Sequence, residues 1–137
     1  MKYLLLPAAA GLVSIASACQ KKDAASPQEI SLVGEWHWVA STGGLTGAQT
    51  MTPATTGTSV TWVFRADSTV LVRTSARPDQ TGTYSVGVVQ SIFTGQSDRS
   101  LVLRLPRAQA YVLRELGSRL VVDDNYPDGF EHTYQRP

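Results

Sequence analysis

Eight short stretches of β-type sequence, separated by turn signals, most constrain what this chain can fold into. They are residues 35–41, 59–65, 69–75, 81–89, 100–105, 110–116, 119–123 and 130–136. Most of the connections are short and rich in Gly, Pro, Asp and Ser, and no long segment has the period of an amphipathic helix. Because parallel strands need crossover helices, the pattern predicts an antiparallel meander joined by hairpin-length turns.

Alternation of side chains along these stretches indicates one apolar face. Trp36 and Trp38 share a face of the first stretch, and Trp62 and Phe64 share a face of the second. A meander with one apolar face can close on itself and so remove its edge strands. The first and last stretches are both aromatic-rich and similar in length, as neighbours in a closed sheet should be. The sequence therefore predicts an all-β fold, an antiparallel eight-stranded up-and-down β-barrel.

Three features leave alternatives open at this point. A flat or sandwiched sheet with exposed edges remains the alternative to closure. Residues 88–93 extend the fourth strand or form a ninth. Residues 70–72 and 120–122 are apolar on both faces, so a loop or a partner is expected to cover Leu71 and Val121 from outside.

The N-terminus predicts export. Residues 4–13 form an apolar run of about ten residues, whereas a membrane span needs about 20. Small residues then lead to Cys19, the only cysteine. This arrangement resembles a bacterial lipoprotein signal, with Ala16 where that signal usually has Leu. The resemblance implies a signal peptide at 1–18 and a lipid on Cys19. An ordinary secretory signal with a stray thiol is the alternative.

The same resemblance implies a location and a domain organisation. The chain would be an outer-membrane lipoprotein of the bacterial cell envelope, on its periplasmic or cell-surface face, with the membrane as a partner through Cys19. Residues 19–30 read as a tether, and 31–137 as one barrel domain. Cys-Gln-Lys-Lys-Asp also resembles the charged tag of surface-exported lipoproteins of the Bacteroidota, with a plain linker as the alternative.

Charge and composition exclude several function classes. Once Lys2 leaves with the signal, 11 basic residues balance 11 acidic ones, which argues against nucleic acid as a partner. No lysine follows Ser31, so a Schiff-base or P-loop lysine is excluded from the domain. With one cysteine, no intramolecular disulfide can form.

Several motifs resemble small bacterial lipocalin-like lipoproteins. Gly34-Glu35-Trp36 is similar to the Gly-x-Trp opening of that family, and residues 128–136 resemble its last strand. The strand start at 82–84 and the hairpin at 64–69 also fit. The resemblance implies that Trp36 packs at the closed end of the barrel under Arg136. It further implies that the first loop, 43–57, folds over the open mouth with Leu45 and Met51 facing a cavity; a mobile solvent loop is the alternative.

The expected function is binding of a small apolar or amphipathic ligand in the barrel. The candidate ligand-binding residues are Trp38, Trp62, Tyr84, Leu103, Tyr111 and His132, with Leu45 and Met51 from the loop. If the rings pack together instead, the alternative is a structural or inhibitor-like lipoprotein that binds an envelope protein. His132 is also explained as a hydrogen-bonded core residue.

An enzyme is the least favoured class, because no residue set in the sequence forms an activated nucleophile or an acid–base pair. No metal and no cofactor are expected. His37 and His132 fall on opposite faces, and residues 123–129 fit a simple turn better than a calcium loop.

Overall fold

The computed structural model describes residues 31–137, so the predicted signal peptide, Cys19 and the tether lie outside the described residues. This range contains nine strands and one short helix. They are β1 Gly34–Gly43, β2 Gln49–Met51, α1 Pro53–Thr56, β3 Val60–Phe64, β4 Thr69–Thr74, β5 Arg77–Gln90, β6 Ser97–Leu105, β7 Arg107–Leu116, β8 Arg119–Asp124 and β9 Phe130–Gln135. All pairings are antiparallel, β3 to β9 follow in chain order, and β1 lies between β3 and β9. The predicted eight-stranded up-and-down barrel, lipocalin-like in its architecture, is confirmed.

The first long loop is more ordered than the sequence predicts. Residues 43–57 are predicted as a loop, but β2 pairs with the end of β1, on the edge that β3 leaves free. Helix α1 follows at once, in a capping box in which Thr55 N–H donates to Thr52 Oγ1 and Thr52 N–H donates to Thr55 Oγ1. The extra strand and the helical turn fold this loop back onto the barrel mouth.

Strand β5 is longer than predicted at both ends. It begins at Arg77, four residues before the predicted stretch 81–89, and runs to Gln90, so residues 88–90 extend this strand rather than start another. Pro78 is tolerated because residues 77–82 pair with β4 while β6 pairs only from Thr83 onward. A proline on an unpaired strand edge removes no ladder hydrogen bond.

A bulge in β1 sets which residues of this strand face inward. Opposite β9, Trp38 pairs with Tyr134 and Ala40 pairs with Thr133, so Val39 is the extra residue. Before the bulge, every second residue of β1, including Trp36, points inward. The extra residue shifts this alternation by one position, so Ser41 points into the interior and is 3% exposed. Strict alternation would have placed Ala40 there.

Aromatic side chains fill the middle of the barrel. Trp62 stacks on Tyr134 with ring centroids 4.2 Å apart and lies 5.8 Å from Tyr111. Phe64 meets Trp62 edge-on at 5.9 Å and Tyr84 at 4.9 Å. Such pairs add to the large apolar area that each ring buries. The packed rings divide the interior into a filled core and an open mouth.

Trp36 and Arg136 seal the opposite, closed end. The Trp36 ring is fully buried and donates its Nε1–H to Leu32 O at 2.8 Å. The Arg136 guanidinium lies 4.1 Å from the ring centroid and donates to the carbonyls of Val33 and Ser31. Gly34 has φ 127°, and a Cβ there would collide with the guanidinium. In the Gly-x-Trp motif, the glycine therefore makes room for the arginine and the tryptophan supplies the ring on which it packs.

The outer face of β7 and β8 is covered by the chain itself. Val112 and Val121 point outward yet are 0% and 6% exposed. The tip of the β5–β6 hairpin is held nearby, since Ile92 N–H donates to Asn125 Oδ1 and Asn125 Nδ2 donates to Gln90 O. Val121 is therefore buried by the chain itself, whereas the sequence left its cover to a loop or a partner.

Replacement of Arg136 by alanine tests the closed end. We expect Arg136→Ala to lower the free energy of unfolding by about 1–2 kcal/mol, because the contact with the ring and the carbonyl hydrogen bonds are both lost. Urea unfolding of the full chain measures it. Arg119→Ala removes an exposed arginine from the same end, paired with Glu115, and should change the midpoint much less. Equal midpoints for the two variants would contradict the assigned role.

Candidate functional site

A cavity of about 430 Å³ opens at the barrel mouth. Its apolar walls come from Trp38 on β1, Met51 at the end of β2, Val60 on β3 and Tyr134 on β9, and its polar lining residues are Ser41, Thr56, Thr58, Arg77 and His132. Volumes of this order are typical of small-molecule sites, which combine apolar walls with a few placed polar groups. The cavity can therefore hold a small ligand.

The loop between β1 and β3 forms one side of this cavity. Because β2 reverses back along β1, Met51 pairs with Ser41 and is half-buried beside the mouth. Leu45 lies in the preceding turn, where Gly47 N–H donates to Gly44 O, and it is 85% exposed. The prediction that Leu45 faces the cavity is wrong, because the turn projects the side chain into solvent.

A chain of hydrogen bonds runs from the cavity wall into the barrel. Trp38 Nε1–H donates to Ser41 Oγ at 2.9 Å, and Ser41 Oγ lies 2.7 Å from His132 Nδ1. The other ring nitrogen, His132 Nε2, lies 3.2 Å from Asp124 Oδ1. The strand register explains why these side chains meet. On β9, His132 pairs with Ser41 of β1 on one side and with Val122 of β8, two residues before Asp124, on the other.

Asp124 anchors this chain as a buried carboxylate with 2% exposure. Its Oδ2 accepts from Tyr126 OH at 2.9 Å and from the Phe130 amide at 3.0 Å, and its Oδ1 also accepts from Gln109 at 3.4 Å. Burial by itself raises the pKa of Asp124, but hydrogen bonds from His132, the Phe130 amide and Tyr126 outweigh burial and hold the pKa below its ordinary value. Asp124 is therefore ionised at neutral pH.

The structure brings together only part of the predicted ligand-binding set. Trp38, Met51 and His132 line the cavity. Trp62, Leu103 and Tyr111 instead line a smaller cleft of about 150 Å³, and their side chains belong to the packed core. Tyr84 lies toward the closed end, where its hydroxyl donates to Arg65 O at 2.8 Å. Packing of the rings against each other accounts for the separation.

Several cavity and network residues escape the sequence prediction, and three of them show why. Ser41 reaches the interior only because of the bulge at Val39, which alternation cannot reveal. Arg77 lies outside the predicted strand stretches, although it is the first residue of β5. Asp124 had a readable signal, since Leu120, Val122 and Asp124 alternate inward, but the predicted strand stopped one residue short.

Within residues 31–137, no three His, Cys, Asp or Glu side chains come together as a metal site. In the same range, no helix has both the length and the apolar character needed to cross a bilayer. His37 is exposed and lies 2.7 Å from Glu35, on the face opposite to His132.

Replacement of Asp124 tests how far this network stabilises the barrel. Asp124→Asn should lower the free energy of unfolding by about 2 kcal/mol near neutral pH, since donors aimed at a buried carboxylate lose their charge partner. A depressed pKa stabilises the fold above the unfolded-state value, and that advantage disappears on acidification. The difference between the wild-type protein and the variant should therefore shrink below about pH 4.

Urea unfolding at both pH values measures this difference. Asp128→Asn is the matched control, because Asp128 lies in the same loop, is exposed and has φ 59°, which asparagine also adopts. A constant difference at all pH values would contradict the ionised state of Asp124.

Comparison with known proteins finds no family model, no curated protein and no solved structure that matches this chain.

Proposed function

We propose that this protein is a lipid-anchored envelope lipoprotein whose barrel binds a small amphipathic ligand at its open end. The observation that supports the binding function is the cavity of about 430 Å³ lined by Trp38, Met51, Val60 and Arg77. Apolar burial provides the affinity, at about 25 cal/mol per Å² of apolar surface removed from water. The filled core below limits the ligand to a small molecule or to one end of a longer one.

The charge of the cavity wall favours an acidic or strongly polar group on the ligand. Arg77 contributes a formal positive charge at the rim, and none of the described residues that line the cavity is acidic. Asp124 lies behind His132, where its carboxylate oxygens are already occupied by donors of the protein. A ligand with its apolar part against Trp38 and its anionic group toward Arg77 fits this arrangement.

The envelope location rests on the N-terminal sequence. Cys19 follows small residues at the end of a short apolar run, and twelve residues separate positions 18 and 31. This spacing leaves a tether between a lipid on Cys19 and the first described residues of the barrel. The lipocalin-like family assignment rests on the Gly34-x-Trp36 opening and the last-strand motif.

A structural or protein-binding role is the second candidate function, and one observation favours it. Four apolar side chains of the β5–β6 hairpin are exposed: Val86 at 49%, Val88 at 72%, Ile92 at 50% and Phe93 at 54%. Exposed apolar patches of this kind mark interaction surfaces. This patch differs from the one expected at Leu71 and Val121, which are half-buried and buried.

Anilinonaphthalene sulfonate, an apolar anion, tests the binding site. We expect the dye to bind the full chain and to quench tryptophan fluorescence, with affinity reduced about tenfold in Arg77→Ala through loss of a charge-assisted hydrogen bond. Arg73→Ala is the matched control, because Arg73 is exposed on β4 and pairs with Asp79 rather than lining the cavity. Dye binding that survives Arg77→Ala but is lost in Val88→Ser would place the dye on the surface patch and overturn the proposed site.

Mass spectrometry of the mature protein tests the anchor. In a bacterial host, the full chain should begin at Cys19, carry a lipid-sized mass increase on that residue and sediment with membranes. Cys19→Ser should lose the lipid and leave the membrane fraction. Metabolic labelling with palmitate is unambiguous here, since the chain has no other cysteine. A wild-type protein with a free thiol at Cys19 would contradict lipidation.

A further inference from the structure

Ser41, His132 and Asp124 form a continuous hydrogen-bonded chain that the binding function does not use. Ser41 Oγ is 2.7 Å from His132 Nδ1, and His132 Nε2 is 3.2 Å from Asp124 Oδ1. These three residues come from β1, β9 and β8, which are neighbours at the barrel seam. Hydroxyl, imidazole and carboxylate in this order are the parts of a nucleophile, a base and the group that orients the base.

Hydrogen-bond accounting fixes the direction of this chain. Asp124 is ionised and can only accept, so His132 Nε2 carries the proton that it shares with Asp124. In the neutral imidazole, Nδ1 is then the acceptor, and Ser41 donates its hydroxyl proton to it. In serine proteases, the histidine Nε2 contacts the serine and Nδ1 contacts the aspartate. Here Nδ1 contacts Ser41 and Nε2 contacts Asp124. The roles of the three side chains are unchanged, and the roles define such a relay.

The reactive end of this chain faces the cavity and the anchoring end does not. Ser41 and His132 both line the cavity, whereas Asp124 is 2% exposed and satisfied by four donors. Trp38 Nε1–H lies 2.9 Å from Ser41 Oγ, and Arg77 lines the same cavity. Both side chains line the same cavity as Ser41 and carry N–H groups, the kind of donor that stabilises an oxyanion.

We propose that Ser41 is a nucleophile activated by His132 and oriented by Asp124, and that the barrel mouth hydrolyses esters of small apolar acyl groups. This inference shares the cavity of the proposed binding function and adds a reaction to it. The expectation that the chain is not an enzyme rested on the lack of any such residue set in the sequence. The bulge at Val39 assembles the set by turning Ser41 inward.

The reaction follows from the relay. Ser41 Oγ attacks the ester carbonyl carbon while its proton moves to His132 Nδ1. The tetrahedral intermediate collapses, the C–O bond to the alcohol breaks, and His132 returns the proton to the leaving oxygen. Water then attacks the acyl–Ser41 ester, giving its proton to Nδ1, and the free acid leaves as Ser41 regains a proton. Overall, one ester and one water give one acid and one alcohol, with no other reactant.

A fluorophosphonate probe and p-nitrophenyl butyrate test this proposal on the full chain. We expect one probe per chain, located on Ser41 by peptide mass spectrometry, and release of p-nitrophenol above the buffer rate. Ser41→Ala should abolish both signals. His132→Gln should slow both by about 100-fold or more, the usual contribution of a general base. Ser100→Ala is the matched control, because Ser100 is 3% exposed and absent from the cavity lining.

Asp124 acts through His132 as a positioning residue, so its test needs a readout that loss of stability would not move. Asp124→Asn should lower kcat while KM stays near the wild-type value, measured at a temperature where the variant is folded by circular dichroism. A wild-type protein without probe on Ser41, or hydrolysis that persists in Ser41→Ala, would overturn the proposal. Dye binding retained in an unlabelled wild-type protein would overturn this reaction and leave the binding function standing.

Discussion

The pairing of β1 with β9 is the contact on which the rest of this barrel depends. It closes the sheet, and without it both strands would be exposed edges. The same seam carries the packing of Arg136 on Trp36 at one end and the contact of Ser41 with His132 at the other. The Val39 bulge lies between them and changes the phase of β1. Because of this one bulge, β1 contributes the apolar Trp36 to the closed end and the polar Ser41 to the mouth.

The interior divides between stability and binding. Trp62, Tyr111 and Tyr134 pack against each other, which fills the middle of the barrel and removes the deep cavity that an eight-stranded barrel could otherwise enclose. The remaining space lies above these rings, under β2 and α1. Because the stacked rings form its floor, the cavity can bind a small ligand without opening the core. The size of the ligand is thus set by aromatic packing rather than by the number of strands.

The sequence predicts the barrel well because its evidence is local. Alternation and tight turns identify all eight barrel strands, and the Gly34-x-Trp36 motif with Arg136 identifies the contact at the closed end. The mouth is predicted less well, since it depends on irregularities. A bulge places Ser41 inward, a tight turn at residues 44–47 exposes Leu45, and an unpaired edge lets β5 include Pro78. None of these features has a period that alternation could reveal.

The buried negative charge at the mouth, on Asp124, is hydrogen-bonded by groups of the protein and needs no ligand to neutralise it. Asp124 receives hydrogen bonds from His132, Tyr126, Gln109 and the Phe130 amide, which is the condition under which a carboxylate can be buried at modest cost. The hydrogen of His132 Nε2 and the hydroxyl hydrogen of Ser41 are then committed inside the network. The Ser41 hydroxyl therefore faces the cavity with a free oxygen lone pair. Arg77, which is not part of the network, supplies the positive charge of the cavity wall. An acyl compound with an acidic or polar group uses both, since its carbonyl carbon is electrophilic and its oxygens are acceptors.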